Sequence, residues 1–325
     1  MPVPNGKLLP LVRNVLLPAV LFYAQTGLAT CTQYETYTIA VHGGYVGDLE
    51  TTWTTPETLA LTERIVREAR THLKAGASAL DVVVEAISTF EDSGLVDAGK
   101  GSFRNTAGFV ETDASVMDGR SGNSGAVAAM QQIRNPIQAA RLVMDATPHV
   151  LFVGPAGEKT LVELGAEVVS DPDQYFRPVV EPDHDDEGHG TVGAAVMDRC
   201  GRLAAGTSTG GTLNKMPGRV GDSPIIGAST FATENFALSA TGKGELFIKR
   251  AATRDIVARV ELGGMTFKDA ADYVVKQLIG KKDNVRGAII GISKDGEIVT
   301  SSTGYGLLHG YASEDTDPIV GLRSD

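Results

Sequence analysis

Thr191 stands directly after Gly190, where an acidic run, Glu181-Pro-Asp-His-Asp-Asp-Glu-Gly-His189, gives way to the apolar segment Val192-Gly-Ala-Ala-Val-Met197. A threonine hydroxyl is a weak nucleophile until a base takes its proton. The α-amine of a chain terminus, with a pKa of about 7.7–8.0, is such a base near neutral pH. A threonine that becomes a terminus therefore carries nucleophile and base on one residue. Gly190 leaves its carbonyl unshielded and tolerates strained dihedrals, so the hydroxyl of Thr191 can attack it. The Gly190–Thr191 bond is thus a candidate self-cleavage site. Taken alone, the same residues also read as a loop running into a buried strand.

Their neighbours decide between the two readings. Ordinary helix or strand filler is scarce after residue 205, in Gly206-Thr-Ser-Thr-Gly-Gly211, Asn214-Lys-Met-Pro-Gly-Arg-Val-Gly-Asp-Ser-Pro224 and Thr241-Gly-Lys-Gly244. Together with His189-Gly-Thr-Val-Gly-Ala194, Asp113-Ala-Ser-Val-Met-Asp-Gly119, Ile133-Arg-Asn-Pro136 and His42-Gly-Gly44, these stretches make residues 37–310 resemble the plant-type asparaginase/isoaspartyl peptidase family of N-terminal-nucleophile hydrolases. Several long motifs in the same order are far more specific than one short pattern.

The resemblance assigns roles by position. It implies that Thr191 is the nucleophile and that Thr209 touches and tunes it. Thr241 and Gly242 would form the oxyanion hole, a kind of site where one lost donor costs on the order of 100- to 1000-fold in rate. Arg219 and Asp222 would hold the α-carboxylate and α-ammonium of an aspartyl unit, with Val220, Gly221, Lys243 and Gly244 completing the pocket. The chemistry agrees, since a guanidinium fork suits a carboxylate and an aspartate suits an ammonium. The implied reaction is removal of isoaspartyl residues from β-aspartyl dipeptides and hydrolysis of L-asparagine. A glycosylasparaginase acting on asparagine-linked sugars, or an uncleaved and inactive homologue with a binding role, are the alternatives.

One position departs from the family. Where the family has asparagine in an Asn-Ala-Gly segment, this chain has Asp97, in Val96-Asp-Ala-Gly99. A carboxylate there would favour the protonated terminal amine and so modulate its basicity. The preceding loop is the family's structural sodium site, which implies backbone carbonyl ligands at Phe90, Glu91, Ser93, Val96, Ala98 and Lys100. No catalytic cofactor is implied.

Composition excludes more than it assigns. A net charge of −11 argues against nucleic acid as a partner, because phosphate binding needs clustered Lys and Arg. Cys31 and Cys200 lie far apart and suggest neither a disulfide framework nor a zinc site. Residues 1–35 have the layout of a secretory signal peptide: Lys7 and Arg13, then Val15-Leu-Leu-Pro-Ala-Val-Leu-Phe-Tyr-Ala24, then small residues at Gly27-Leu-Ala29. That run is too short to span a membrane, so export is favoured without a stable membrane span. Two decoys carry less. Gly206-Thr-Ser-Thr-Gly210 fits the G-x-S-x-G serine elbow, but that elbow needs a helix next, and Gly210, Gly211 and Pro217 interrupt one. His184, Asp185, Asp186 and His189 read as a solvated linker rather than a metal site.

The elements that must position these residues follow from caps and periodicity. Tyr37–Val41 reads as a strand. Thr55 and Pro56 start one helix and Ser78 a second, running to about Phe90. Strands are expected at 111–117 and 125–130, a helix over 136–145, a strand at 149–153 and a helix to 164. A hairpin after Thr191 turns at 198–201, helices cover 245–261 and 267–278, and a last hairpin turns at 294–296. Hairpins before helices suggest antiparallel sheets with helices outside. The resemblance makes this an α+β fold, a four-layer αββα sandwich. It also implies an α subunit of residues 36–190, ending in a linker over 170–190, a β subunit of residues 191–325, and a dimer of cleaved α-β units.

Overall fold

β1 (Thr38–Val46) opens the computed structural model of the chain, which describes residues 36–46, 55–179, 190–281, 285–304 and 306–322. α1 (Pro56–Lys74) begins where the Thr55 hydroxyl accepts the Thr58 N–H at 3.3 Å, with Pro56 supplying the fixed φ of a first turn. α2 (Ala79–Ser93) begins where Ser78 Oγ accepts the Asp81 N–H at 3.2 Å, and it stops at Gly94, whose φ of 71° lies in the left-handed region. β2 (Thr112–Asp118) and β3 (Ser124–Met130) form a hairpin. α3 (Pro136–Ala146), β4 (Leu151–Val153), α4 (Gly154–Glu163) and the single turn α5 (Pro172–Tyr175) follow. Beyond Thr191 come β5 (Val192–Met197), β6 (Leu203–Thr209), β7 (Phe231–Ala232) and β8 (Phe236–Gly242). Then come α6 (Gly244–Arg250), α7 (Ala252–Glu261) and α8 (Phe267–Asp272), which continues as a π-helical turn over Tyr273–Ile279. β9 (Gly287–Ser293), β10 (Ile298–Ser302), β11 (Gly306–Ser313) and β12 (Ile319–Gly321) complete the chain.

The strands make two sheets. One runs β12-β11-β1-β5-β6-β2-β3-β4 and the other β10-β9-β8-β7. Three apolar layers separate four layers of structure. Ile65, Leu73, Val83, Ile87 and Phe90 pack α1 and α2 onto the large sheet. Met117, Met197, Leu203, Ile290 and Ile292 fill the space between the sheets. Phe247, Ile256, Phe267 and Val274 pack the later helices onto the small sheet. Each fully buried side chain of this size stabilises by roughly 1.5–3 kcal/mol against exposure. β5 and β6 are covered on both faces and every residue in them is buried, which suits the apolar run of β5 and the small side chains of β6, whose Thr207, Ser208 and Thr209 hydroxyls are hydrogen-bonded. The expected αββα sandwich is the observed one.

Several expectations need correction. β3, α3 and β4 form a parallel βαβ unit, so the large sheet is not wholly antiparallel. The helix expected over 245–261 breaks at Ala251, which sits at φ 45° and ψ 55°. No glycine or proline marks that break. It is imposed by tertiary contact, because the N–H groups of Thr253 and Arg254 turn aside to the carbonyls of Ala228 and Gly227 at 3.4 and 3.0 Å. β8 and β11 were not expected from sequence; their Gly, Ala and Ser content hides the strand pattern. Cys200, in the β5–β6 turn, is disulfide-bonded, which the sequence did not suggest. The leader-like segment, the acidic run from residue 181 and its histidines lie outside the described residues. No described helix is long and apolar enough to cross a membrane.

Candidate active site

Thr191 leads into β5 at the centre of the large sheet, between β1 and β6. Its Oγ1 lies 3.0 Å from Oγ1 of Thr209, the last residue of β6. Thr209 Oγ1 also accepts the Gly211 N–H at 2.9 Å, which draws electron density from the hydroxyl that faces Thr191. The two threonines predicted to work together are therefore in contact.

Gly190 is wedged between two segments. A Cβ at Gly44 would lie 2.7 Å from the Gly190 Cα, so the φ of +105° at Gly44 and its missing side chain are both required. This glycine follows a bulge in β1, where pairing with β11 slips between His42 and Gly44. A side chain on Gly190 would collide with the backbone and Cβ of Asp97 on the other side. Asp97 is fully buried. Its carbonyl accepts the Gly210 N–H at 2.8 Å and its Oδ1 the Phe103 N–H at 3.1 Å, while Oδ2 has no partner. Burial pushes its carboxyl up to about 7, against the pull of the Phe103 N–H and the charges of Lys215 and Arg219.

The clamp residues converge on Gly244. A Cβ there would lie 2.8 Å from Asp222 Oδ1 and 3.1 Å from Arg219 Nη2. Arg219 is held by Glu245 at 3.1 Å. Asp222 Oδ2 is buried without a hydrogen bond, and burial raises the Asp222 carboxyl to about 7 despite nearby Arg219. Val220 and Gly221 join the two clamp residues along the chain. Thr241 and Gly242 end β8, and Lys243 carries the chain into Gly244 at the start of α6. One continuous segment thus links the candidate oxyanion donors to the clamp.

Sequence reasoning missed the shell that holds this loop. Lys215 is buried and donates to the Glu111 carbonyl at 2.7 Å, while the Glu111 carboxylate accepts the Gly218 N–H at 3.0 and 3.1 Å and Asn105 Nδ2 at 3.0 Å. A charged residue inside the glycine-rich Asn214–Pro224 run was the available signal. Glu91 was proposed only for its carbonyl, yet its buried carboxyl accepts Ser208 Oγ at 2.6 Å and the first-turn N–H of Ile137 at 2.9 Å. Burial pushes Glu91 up to about 8 against those bonds. Ser208 is thereby a buried structural hydroxyl, and β6 runs into a turn rather than a helix, so the serine-elbow pattern carries no chemistry here. In the loop after α2, the Phe90, Val96 and Ala98 carbonyls each already accept a bond, from Ser93 Oγ, the Ala98 N–H and the Gly101 N–H. Among the described residues no cluster of His, Cys, Asp or Glu side chains is arranged to hold a metal.

A four-layer αββα sandwich with a threonine at the head of a central strand, its hydroxyl on a second threonine, is the architecture of the N-terminal-nucleophile hydrolases. Within that class the chain belongs to the asparaginase family, which it matches over residues 35–178 and 173–322. It is 37% identical over 308 residues to the isoaspartyl peptidase of Salmonella typhimurium, covering 87% of this chain and 97% of that one. Against the isoaspartyl peptidase of Escherichia coli it is 36% identical over 306 residues, covering 87% and 95%. The isoaspartyl peptidase/L-asparaginase of Rattus norvegicus is 37% identical over 284 residues, covering 82% and 83%.

Proposed function

We propose that this chain is a self-cleaving threonine hydrolase that removes isoaspartyl residues from β-aspartyl dipeptides and hydrolyses L-asparagine to aspartate and ammonia. The observation that carries this reading is the 3.0 Å contact of Thr191 Oγ1 with Thr209 Oγ1, made directly after Gly190. Thr191 Oγ1 attacks the Gly190 carbonyl, the peptide rearranges to an ester, and water releases residues 1–190 from residues 191–325. The freed α-amine then takes the proton of Thr191 Oγ1 during turnover. The substrate's side-chain carbonyl is attacked, and Thr241 Oγ1 and the Gly242 N–H stabilise the oxyanion. The amine or ammonia leaves, and water hydrolyses the aspartyl ester.

Arg219 receives the substrate α-carboxylate in place of Glu245, and Asp222 Oδ2, buried without a partner, receives the α-ammonium. Val220, Gly221, Lys243 and Gly244 wall this end of the pocket. Asp97 modulates the Thr191 amine, since an ionised carboxylate beside it favours the ammonium form. In the loop from Phe90 to Lys100, a structural sodium ion would be held by the carbonyls of Phe90, Glu91, Ser93, Val96, Ala98 and Lys100 through their second lone pairs, stiffening the backbone that carries Asp97. Cleaved α-β units pair as dimers, and the N-terminal extension up to the small residues Gly27-Leu-Ala29 serves as an export signal.

Kinetics on four compounds tests the reading. β-linked Asp-Leu leaves both α-groups free for Arg219 and Asp222, whereas α-linked Asp-Leu ties up the carboxylate. The β-linked dipeptide is expected to be cleaved and the α-linked one to be inert. Asparagine should react with a lower kcat/KM, because leaving ammonia offers no remote contact to stabilise the transition state. A preference for an asparagine-linked sugar would assign a glycosylasparaginase. Recovery of only intact chain after long incubation, with no turnover, would assign an inactive homologue.

A further inference from the structure

The clamp loop turns its charged residue inward and its apolar one outward. Lys215 is 4% exposed, whereas its neighbour Met216 is 74% exposed, and Asn214, Pro217 and Gly218 are exposed as well. Burying an ammonium costs free energy that burying a thioether does not, so the inward lysine points to a contact that only the ammonium makes. Its stem lies across Gly211. A Cβ on that glycine, which sits at φ +101°, would fall 2.7 Å from Lys215 Cδ and 2.9 Å from Nζ. The Gly211 N–H donates to Thr209 Oγ1 at 2.9 Å, and Thr209 Oγ1 also receives the hydroxyl of Thr191 at 3.0 Å. Lys215 therefore backs the glycine that holds the second threonine in place.

Both ends of this turn rest on Glu111, a buried residue of the earlier piece. The Glu111 carbonyl accepts Lys215 Nζ at 2.7 Å. Its carboxylate accepts the Gly218 N–H at 3.0 and 3.1 Å and is itself held by Asn105 Nδ2 at 3.0 Å. The Thr106 N–H closes on the Lys215 carbonyl at 2.9 Å. Met216 and Pro217 are left in solvent between the two pins. From the first pin the contacts run through Lys215, Gly211 and Thr209 to Thr191. At the second, Gly218 is followed directly by Arg219. The two arms start from different atoms of Glu111, one on the main chain and one on the side chain, so each can be cut without the other.

We infer that Lys215 and Glu111 are positioning residues with divided duties. Lys215, pinned by the Glu111 carbonyl, holds Gly211 and so the Thr209 hydroxyl, while the Glu111 carboxylate holds Gly218 and so Arg219. Self-cleavage and turnover both use the Thr191–Thr209 pair. Only turnover uses Arg219, since self-cleavage attacks the chain's own Gly190. The first arm thus serves both reactions, and the second serves substrate binding alone. The second arm rests on the substrate clamp proposed above; the first needs only that Thr191 is the nucleophile of self-cleavage.

Acetylation of the native full chain with an amine-reactive ester, read by peptide mass spectrometry, tests the buried ammonium directly. Lys215 should stay unmodified while exposed Lys243 reacts. Lys215→Met keeps an unbranched stem over Gly211 and removes the ammonium. It is expected to slow self-cleavage, followed by denaturing electrophoresis, and to lower kcat per cleaved chain on β-linked Asp-Leu, each by about tenfold, the lower end of what one hydrogen bond to a charged group is worth. Glu111→Gln leaves the carbonyl pin and trades one carboxylate oxygen for an amide donor. It is expected to raise KM by about tenfold on the same scale, with kcat and self-cleavage little changed. Met216→Ser, exposed in the same turn, should match the unmutated chain in all three. Rapid acetylation of Lys215 in the unmutated chain overturns the proposal even if no variant folds. So does a Lys215→Met that melts cooperatively yet cleaves itself and turns over at the unmutated rates. Equal damage to self-cleavage and KM from both variants would also overturn it, leaving the pair a packing feature. If Lys215→Met slows self-cleavage while the unmutated chain leaves isoaspartyl dipeptides untouched, the reaction assignment fails and the Lys215 arm stands.

Discussion

At the scale of residues, the chemistry depends on groups kept from water, and Asp222 shows what that implies. Burial holds its carboxyl at about 7, although nearby Arg219 and hydrogen bonds favour the ionised form. The folded chain thus keeps this proton to higher pH than the unfolded chain. The associated stability is fully present below the ordinary carboxylate pKa and is lost as pH rises through about 7. On the proposed mechanism turnover has the opposite preference, because only the carboxylate can receive the substrate ammonium. The Thr191 amine must also be unprotonated, with a pKa of about 7.7–8.0 for an ordinary terminus. The acid limb of log kcat/KM, which reports the free enzyme, should therefore approach a slope of about two. Asp222→Asn should lower the rate at every pH and reduce that slope to about one. A slope unchanged in the variant would show that Asp222 does not titrate in catalysis.

At the scale of elements, the clearest departure from sequence is the break between α6 and α7. Ala251 occupies the left-handed region, which costs an L-residue roughly 1–2 kcal/mol, and the bonds from Thr253 and Arg254 to the 227–228 carbonyls hold it there. Glycine meets no such steric cost but loses more chain entropy. Ala251→Gly is expected to stabilise by about 0.5–1 kcal/mol, read as a raised midpoint in urea with an unchanged slope. A loss of stability would mean that residues 245–261 favour a continuous helix. The contrast with α1 and α2 explains what was legible. Thr55 and Ser78 cap their own helices through bonds within three residues, so the starts could be read locally. The Ala251 break, β8, and the βαβ unit at the sheet edge depend on partners far along the chain. The site divides the same way. Thr191, Thr209, Arg219 and Asp222 announce themselves by motif, whereas Lys215 and Glu111 gain meaning only when distant segments meet.

At the scale of the whole molecule, the proposed cut falls inside one compact unit spanning Thr32–Asp325, not between domains. Reading the large sheet in order, β12 and β11 come from the later piece, β1 from the earlier, β5 and β6 from the later, and β2, β3 and β4 from the earlier. β1 is hydrogen-bonded on both sides by strands of the later piece, and β6 joins β5 to β2 across the same divide. Cleaving Gly190–Thr191 breaks one covalent bond but removes no ladder and exposes little of the apolar layer between the sheets. The two pieces can separate only by unfolding the sheet. Purified protein is therefore expected to run as two fragments in denaturing electrophoresis under reducing conditions, the later one beginning at Thr191, yet to elute as one species in native gel filtration. It should melt in a single cooperative transition. Thr191→Ala should give one intact chain with the same native elution. Fragments that part without denaturant would mean that the interleaved sheet does not survive cleavage.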